Sequence, residues 1–276
     1  MAWTARPAKG GKWWWCALLL SANAWTCANA QEPTIEWRAS AAVMHRTLTE
    51  SAPGSGRLLT EKGYLPRVQL SAQTTAQDAS ALSAQASFAQ GRLDYEGRTQ
   101  AGQPVSTATG HREAEVALLW RPFAPAGWGE VWLGLGWLNA RRTIEPAALA
   151  GGLNETSSLA LPGVRWLSPA WALPWKESPV KLQAEAQWRA SAWHRLSVDY
   201  LGLYDASVLQ GGRRNELSLR LALFNGETWR WTAGWTRTEQ RASPSATLYR
   251  AGAPVGTVHQ PRLRIDDFSL SLGRRF

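Results

Sequence analysis

The last ten residues, 267–276, read Asp-Phe-Ser-Leu-Ser-Leu-Gly-Arg-Arg-Phe and alternate between large apolar and small or polar side chains. Successive side chains of an extended strand point to opposite faces, so this segment predicts a strand with one apolar face and one polar face. The apolar side chains of one parity are Phe268, Leu270, Leu272 and Phe276. Similar alternation recurs along residues 31–276, and no stretch there supplies the roughly 20 consecutive apolar residues of a membrane-spanning helix. These patterns predict an all-β chain.

Ten strands are predicted from this alternation, and each is a weak signal alone. In chain order they cover residues 35–46, 67–73, 82–88, 113–121, 131–137, 158–167, 180–189, 216–223, 229–236 and 262–276. The third could continue to residue 98 with shifted parity. The parity of the tenth changes at Asp266-Asp267, which indicates a β-bulge there. A count between eight and twelve strands stays open.

Connections of two kinds alternate between these strands. Residues 77–79, 123–127 and 225–227 form tight links, and Asn225-Gly226 is a strong hairpin signal. Longer polar connections cover residues 50–63, 99–110, 139–156, 204–212 and 240–260. Short turns at one end and long loops at the other are typical of an outer-membrane barrel.

The closing segment resembles the last strand of bacterial outer-membrane β-barrel proteins, in which a terminal aromatic residue follows alternating apolar residues. The resemblance implies an antiparallel transmembrane β-barrel of a Gram-negative bacterium. It also implies that Phe268, Leu270, Leu272 and Phe276 form the signal read by the barrel assembly machinery. Arg274 departs from the pattern, because the family usually has an apolar residue there. A soluble periplasmic β-sandwich is the alternative, but the small and charged residues on the second face favour a barrel lumen.

Residues 1–30 have the pattern of a signal peptide. Arg6, Lys9 and Lys12 precede an apolar run, and Ala28-Asn29-Ala30 fits a cleavage site before Gln31. The run is too short for a membrane anchor, and Trp25-Thr26 fits lipoprotein processing at Cys27 badly. Cleavage removes both cysteines, which excludes disulfides, zinc-thiolate sites and a cysteine nucleophile from the mature domain, residues 31–276. It leaves 27 basic against 21 acidic residues, scattered rather than striped, which argues against nucleic-acid binding.

Charged side chains of the inward parity are expected to line the lumen. A narrow ten-stranded barrel could hold them as compensated ion pairs, or they could form a cationic path for small anions. The predicted lumen charges are Arg38, Arg67, Glu115, Arg121, Glu185, Arg189, Glu216, Arg220, Arg230 and Arg264.

All four histidines, His45, His111, His194 and His259, map to the outer half of the predicted barrel. A histidine–carboxylate pair there could activate water for lipid or peptide hydrolysis, with His111, His259 and Asp266 as the candidate residues. His45 and His194 share parity with lipid-facing residues, which indicates interface positions. No motif of the barrel lipid hydrolases or of the omptin proteases is present, and no paired spacing indicates a metal.

The sequence therefore predicts an exported, non-enzymatic outer-membrane barrel that acts as a narrow pore or displays surface loops. A hydrolase at the outer rim, acting on lipid A, phospholipid or peptide, is the alternative. Expected partners are outer-membrane lipid and lipopolysaccharide, the barrel assembly machinery and periplasmic chaperones during transit. Neither a cofactor nor a metal is predicted.

Overall fold

The computed structural model of the chain describes residues 34–52, 56–74, 80–98, 102–123, 126–148, 151–174, 180–225 and 228–276. The predicted signal peptide and the turn at residues 77–79 lie outside these residues, as do parts of the turns at 123–127 and 225–227. No helix in the described part is long and apolar enough to cross a membrane. The strands are β1 (Ile35–Ala52), β2 (Gly56–Thr74), β3 (Ala81–Arg98), β4 (Pro104–Arg121), β5 (Glu130–Ile144), β6 (Leu153–Leu167), β7 (Trp171–Leu173), β8 (Val180–Ala190), β9 (Trp193–Asp199), β10 (Ser207–Gln210), β11 (Arg214–Asn225), β12 (Trp229–Gln240), β13 (Ala246–Arg250), β14 (Ala253–Val258) and β15 (Arg262–Arg275).

The strands form a closed antiparallel barrel. Strands β1 to β6 pair in sequence, β15 pairs with both β12 and β1, and β11 joins β12 to β8. Strand β6 pairs with β8 through Gly163–Leu167 and with β9 through Asn154–Ala160. Strands β8 and β9 together therefore occupy one position in the ring of strands, and we call each such position a stave. The barrel therefore has ten staves, as predicted, and the sandwich alternative is wrong.

The outer surface carries a band of apolar side chains. We call the end that holds Ile35 of β1 and Arg275 of β15 the lower end, and the opposite end the upper end. Within the band, residues such as Leu70, Val116 and Leu118 are about half exposed or more and point outward. Many of the exposed tryptophans lie toward the edges of the band, among them Trp37, Trp120, Trp171 and Trp229 below, and Trp137, Trp188 and Trp193 above. This is the outer face expected of a transmembrane barrel, with aromatic girdles flanking an apolar belt.

Above the band, the strands continue but the polarity of their faces inverts. On β15, Phe268 points outward within the band, and Asp266 and Arg264 point outward above it, while Ile265 and Leu263 are buried inside. The register of β15 with β1 and β12 is unbroken through this region. The bulge predicted at Asp266-Asp267 is therefore wrong. What changes there is the surroundings of the strand, from apolar to polar, and not the direction of its side chains.

The same inversion explains why the predicted upper loops are too long. Residues 50–63 and 99–110 belong mostly to β1, β2 and β4, and β3 reaches Arg98 without a change of parity. Their outward side chains are polar above the band, so the alternation that predicted strands is lost. Two hairpins, β9–β10 and β13–β14, also build the upper end. Asp205 ties the second hairpin in place, because its carboxylate accepts hydrogen bonds from Ala251 N (3.1 Å) and Gly252 N (2.8 Å).

The closing strand explains the arginine that departs from the family pattern. Arg274 points outward at the lower edge of the band, where its guanidinium lies over the rings of Trp229 (5.6 Å) and Phe276 (5.5 Å). Cation–π contacts of this kind stabilise a cation at the edge of an apolar surface. Phe276 N donates to Trp37 O at 2.9 Å, so the terminal residue is anchored to β1.

Candidate functional site in the lumen

The upper lumen is filled by a network around Arg142 of β5. Its guanidinium donates to Glu61 Oε1 (2.6 and 2.9 Å) and to Glu155 Oε2 (2.9 Å), and it also binds Glu50. Glu61 is fully buried and contacts His111 Nε2 through Oε2 at 2.6 Å. We call these five residues the upper network. They hold three carboxylates against one guanidinium and one histidine, in a region that water barely reaches.

Two further networks cross the middle of the lumen. Arg46 of β1 donates hydrogen bonds to Asp267 (2.8 and 2.9 Å) and to both carboxylate oxygens of Glu113 of β4. Arg189 of β8 binds Glu115 of β4 and Glu216 of β11. The side chain of Arg46 is only 5% exposed. We call these the middle networks.

These contacts span the bore rather than running along its wall. The staves of Arg142 and Glu50, β5 and β1, are four positions apart in a ring of ten, so they face each other nearly across the diameter. Arg46 and Glu113 lie three staves apart, as do Arg189 and Glu115. Buried leucines close the space beside them, including Leu65, Leu93, Leu159 and Leu161. Side chains can fill a barrel of this size, since bore diameter grows with strand number.

The lower lumen is different, because arginines there outnumber carboxylates. Glu185 of β8 binds Arg165 (2.9 Å) and Arg220 (2.7 Å), and Arg230 approaches it to 3.9 Å. Arg67 donates to Ser87 Oγ at 2.8 Å. We call Glu185, Arg38, Arg67, Arg165, Arg220 and Arg230 the lower cluster.

The structure places nine of the ten predicted lumen charges on inward faces. Eight of them line one lumen cavity: Arg38, Arg67, Glu115, Glu185, Arg189, Glu216, Arg220 and Arg230. Arg121 is buried at the lower end, where it pairs with Glu130 at 3.1 Å and lies over the ring of Trp132. Arg264 is the exception. It lies on the outer surface and binds Asp266, because the inward parity continues through Asp267 and not through Asp266.

The three candidate catalytic residues do not form one site. His111 is buried in the upper network, and Asp266 lies on the outer surface, where Arg237 and Arg264 hold it at 2.8 and 2.9 Å. His259 is exposed in the connection between β14 and β15. The wall of the barrel separates His111 from Asp266, so these residues cannot activate one water molecule together.

His194 was expected on the outer face, and the structure places it inside. The stave breaks between β8 and β9, where Ser191 N and Ala192 N donate to carbonyls of different neighbouring strands. The break shifts the parity, and His194 becomes buried. Its Nδ1 lies 3.0 Å from Gly212 O and its Nε2 lies 3.4 Å from Ser157 Oγ. A backbone carbonyl can only accept, so Nδ1 carries the proton and Nε2 faces the serine hydroxyl.

The ring of His194 lies directly against Gly211, and a methyl group at that position would overlap it. We expect Gly211→Ala to lower the free energy of unfolding by about 1–3 kcal/mol, as overpacked substitutions do. A methyl group added at Gly256 of β14 would meet no atom within 4 Å, so Gly256→Ala serves as the control. Both are measured by urea unfolding of the refolded barrel. Equal stability of the two variants would show that His194 moves aside freely.

Several of these residues escaped the sequence analysis. Glu50, Glu61, Arg142 and Glu155 lie in segments predicted as loops. Extending the inward parity of Gly134 and Gly136 upward along β5 reaches Arg142 and would have identified it. Among the described residues, no group of three or more histidine, cysteine, aspartate or glutamate side chains has the arrangement of a metal site.

Comparison with known proteins gives the fold. No protein-family model matches the sequence, and no curated protein matches it. The structure is similar to that of the outer membrane protease OmpT from Escherichia coli, with a TM-score of 0.54 and 9% identity over 91% of this chain and 98% of that chain. The beta domain of the Bordetella autotransporter BrkA gives 0.46, at 12% identity, over 87% of this chain and 99% of that one. The translocator domain of the autotransporter NalP from Neisseria meningitidis gives 0.44, at 10% identity, over 87% and 88%.

Proposed function

We propose that this chain is an outer-membrane barrel with a closed lumen, which acts as a rigid non-enzymatic support for the hairpins at its upper end. The ion pairs that cross the bore carry this proposal. A conducting pore needs a continuous water-filled path, and selectivity then depends on the charges along it. In the upper and middle networks, the charged side chains pair with one another across the bore.

The closed lumen gives the barrel rigidity at the upper end, where the two hairpins pack on it. Val258 of β14 and Ala246 of β13 lie against the buried cluster of Leu196, Val198 and Leu209. The hairpin tips remain open to solvent, since Tyr249 is 44% and Val255 is 51% exposed. A support of this kind presents a defined surface above the membrane.

The outer membrane is the location that supports this function. The apolar band, its aromatic edges and the outward Arg274 at the lower edge fit a bilayer whose lipid headgroups meet this arginine. In this proposal the lower end faces the periplasm, the predicted signal peptide directs export, and the β15 strand is recognised by the barrel assembly machinery. Lipopolysaccharide meets the polar outer faces of the upper strands.

A rim hydrolase is the less favoured function. OmpT is a protease by its name, but at 9% identity the likeness concerns the fold alone. His111 is held by a carboxylate that also binds Arg142, and both partners are shielded from solvent. A general base has to reach the proton it abstracts, and this histidine is enclosed.

Single-channel recording tests the closed lumen. The mature chain, residues 31–276, is refolded and inserted into a planar bilayer, and we expect no discrete conductance steps. Heat-modifiable migration on gels confirms that the same sample is folded, and a general porin in a parallel membrane confirms that channels would be detected. Regular steps from the folded barrel would overturn the proposal and return attention to an anion path.

A further inference from the structure

The lower lumen holds more positive charge than its own carboxylates compensate. A cavity of about 180 Å³ lies in the lumen, and eight arginines and five acidic residues line it. The arginines are Arg38, Arg46, Arg67, Arg165, Arg189, Arg214, Arg220 and Arg230, and the acids are Glu113, Glu115, Glu185, Glu216 and Asp267.

Most of the acids are committed to the middle networks. Glu113 and Asp267 bind Arg46, while Glu115 and Glu216 bind Arg189 and Arg214. Glu185 is then the one acid of the cavity lining left for the lower cluster. At the lower end, Glu36 also contacts Arg38 at 3.1 Å, but it shares its charge with Arg275.

The arginines of the lower cluster repel one another. Arg230 interacts unfavourably with Arg38, Arg165 and Arg220, and Glu185 is the one carboxylate that offsets this repulsion. Arg67 interacts unfavourably with Arg220 and Arg189 and favourably with Glu115 and Glu113, but its hydrogen bond goes to the neutral Ser87. The Nε groups of Arg165 and Arg230 are buried and have no hydrogen-bond acceptor within the described part of the chain. A buried donor without an acceptor is unfavourable, and one carboxylate shared by three guanidinium groups leaves positive charge uncompensated, so this arrangement favours an added anion.

The remaining lining is rich in neutral hydrogen-bond donors. Ser71, Ser83, Gln69 and Gln85 face the same cavity from β2 and β3. Guanidinium groups bind planar or tetrahedral oxyanions with two parallel hydrogen bonds, and hydroxyl and amide groups complete such sites. A water molecule takes about 30 Å³ of liquid, so the cavity has room for a tetrahedral oxyanion with part of its hydration shell.

We propose that the lower cluster binds a doubly charged oxyanion of the phosphate class, held mainly by Arg67, Arg220 and Arg230. The anion occupies the lower lumen beneath the middle networks and neutralises the excess of arginine. The site is separate from the closure of the bore. Conductance reports on the upper and middle networks, whereas anion binding reports on the lower cluster, so either proposal can fail without the other.

Thermal unfolding of the refolded mature chain in detergent tests this site. Sodium phosphate is titrated at constant ionic strength against sodium chloride, and we expect a saturable rise in the unfolding midpoint with phosphate alone. Binding is checked directly by broadening of the ³¹P resonance. A rise that does not saturate, or an equal rise with chloride, would overturn the proposal.

Substitutions locate the site. Arg67→Gln with Arg220→Gln removes two charged hydrogen-bond donors, each worth about tenfold in affinity or more, so we expect the phosphate response to disappear. Without phosphate, Arg67→Gln alone should raise the midpoint, because it relieves repulsion; a merely structural arginine would lower it. Arg264→Gln, on the outer surface, should respond to phosphate as the wild type does. An unchanged response in the double variant would contradict the assignment.

The source of the phosphate group is distinguished by two further ligands. Glycerol 3-phosphate and short-chain phosphatidic acid carry the same group on a small and a large body. Binding of phosphate and glycerol phosphate with exclusion of the lipid indicates a free anion from solution. Tighter binding of the lipid than of phosphate would indicate a headgroup and would contradict a site enclosed in the lumen.

Discussion

Replacing Arg142 with methionine should lower the free energy of unfolding by about 3–5 kcal/mol, the range observed when one partner of a buried ion pair is removed. Arg142 is the one guanidinium that Glu50, Glu61 and Glu155 share. Methionine fills similar space but leaves three carboxylates facing one another inside the barrel. The measurement is urea unfolding of the refolded variant, followed by gel migration and by tryptophan fluorescence.

An exposed ion pair of the same chain supplies the matched control. Arg92 contacts Glu145 at 2.6 Å, but their side chains are 67% and 45% exposed. Ion pairs at the surface contribute about 0–1 kcal/mol, so Arg92→Met should change stability little. Similar losses in the two variants would mean that water reaches the upper network, and the closed lumen would lose its main support.

The loss in Arg142→Met should also depend on pH. A protonated carboxyl needs no cationic partner, so the variant loses less stability, relative to wild type, at about pH 4 than at neutral pH. Stability of the variant against wild type therefore improves as the pH falls. A loss that is constant with pH would indicate that the missing packing of the arginine stem, rather than its charge, is responsible.

The sequence predicted the band of the barrel well because one local rule governs it. Within the apolar band, the outward side chain has to be apolar and the inward one can be polar, so parity alone assigns Arg38, Glu185 and Arg220 to the lumen. The ten staves follow from counting such segments. No long-range information is needed for either result.

The upper part could not be predicted by the same rule. Above the band, both faces of a strand can be polar or apolar, so Arg264 was assigned to the wrong face. The inward turn of His194 depends on the break between β8 and β9, which is set by the carbonyls of Arg214 and Ala160 on neighbouring strands. Two of the three carboxylate partners of Arg142, Glu61 and Glu50, lie 81 and 92 residues away in the chain, and only the closed ring brings them to it.

Replacing Ala86 with arginine should lower the free energy of unfolding in a bilayer by about 2–4 kcal/mol, as expected for a cation near the midplane. Ala86 points outward from β3 within the apolar band, paired with Leu70 on one side and Val116 on the other. Alanine contributes little packing itself, so the loss reports the transfer of charge into the apolar band.

Gln90 lies four residues higher on the same face, beside Arg112. There the cost of an arginine falls to about 0–1 kcal/mol, because the position is near the interface. Unfolding of both variants is measured in phospholipid vesicles and again in detergent micelles, where the difference should shrink. Equal stability of Ala86→Arg and Gln90→Arg in vesicles would mean that the band lies outside the bilayer. That result would contradict the outer-membrane location.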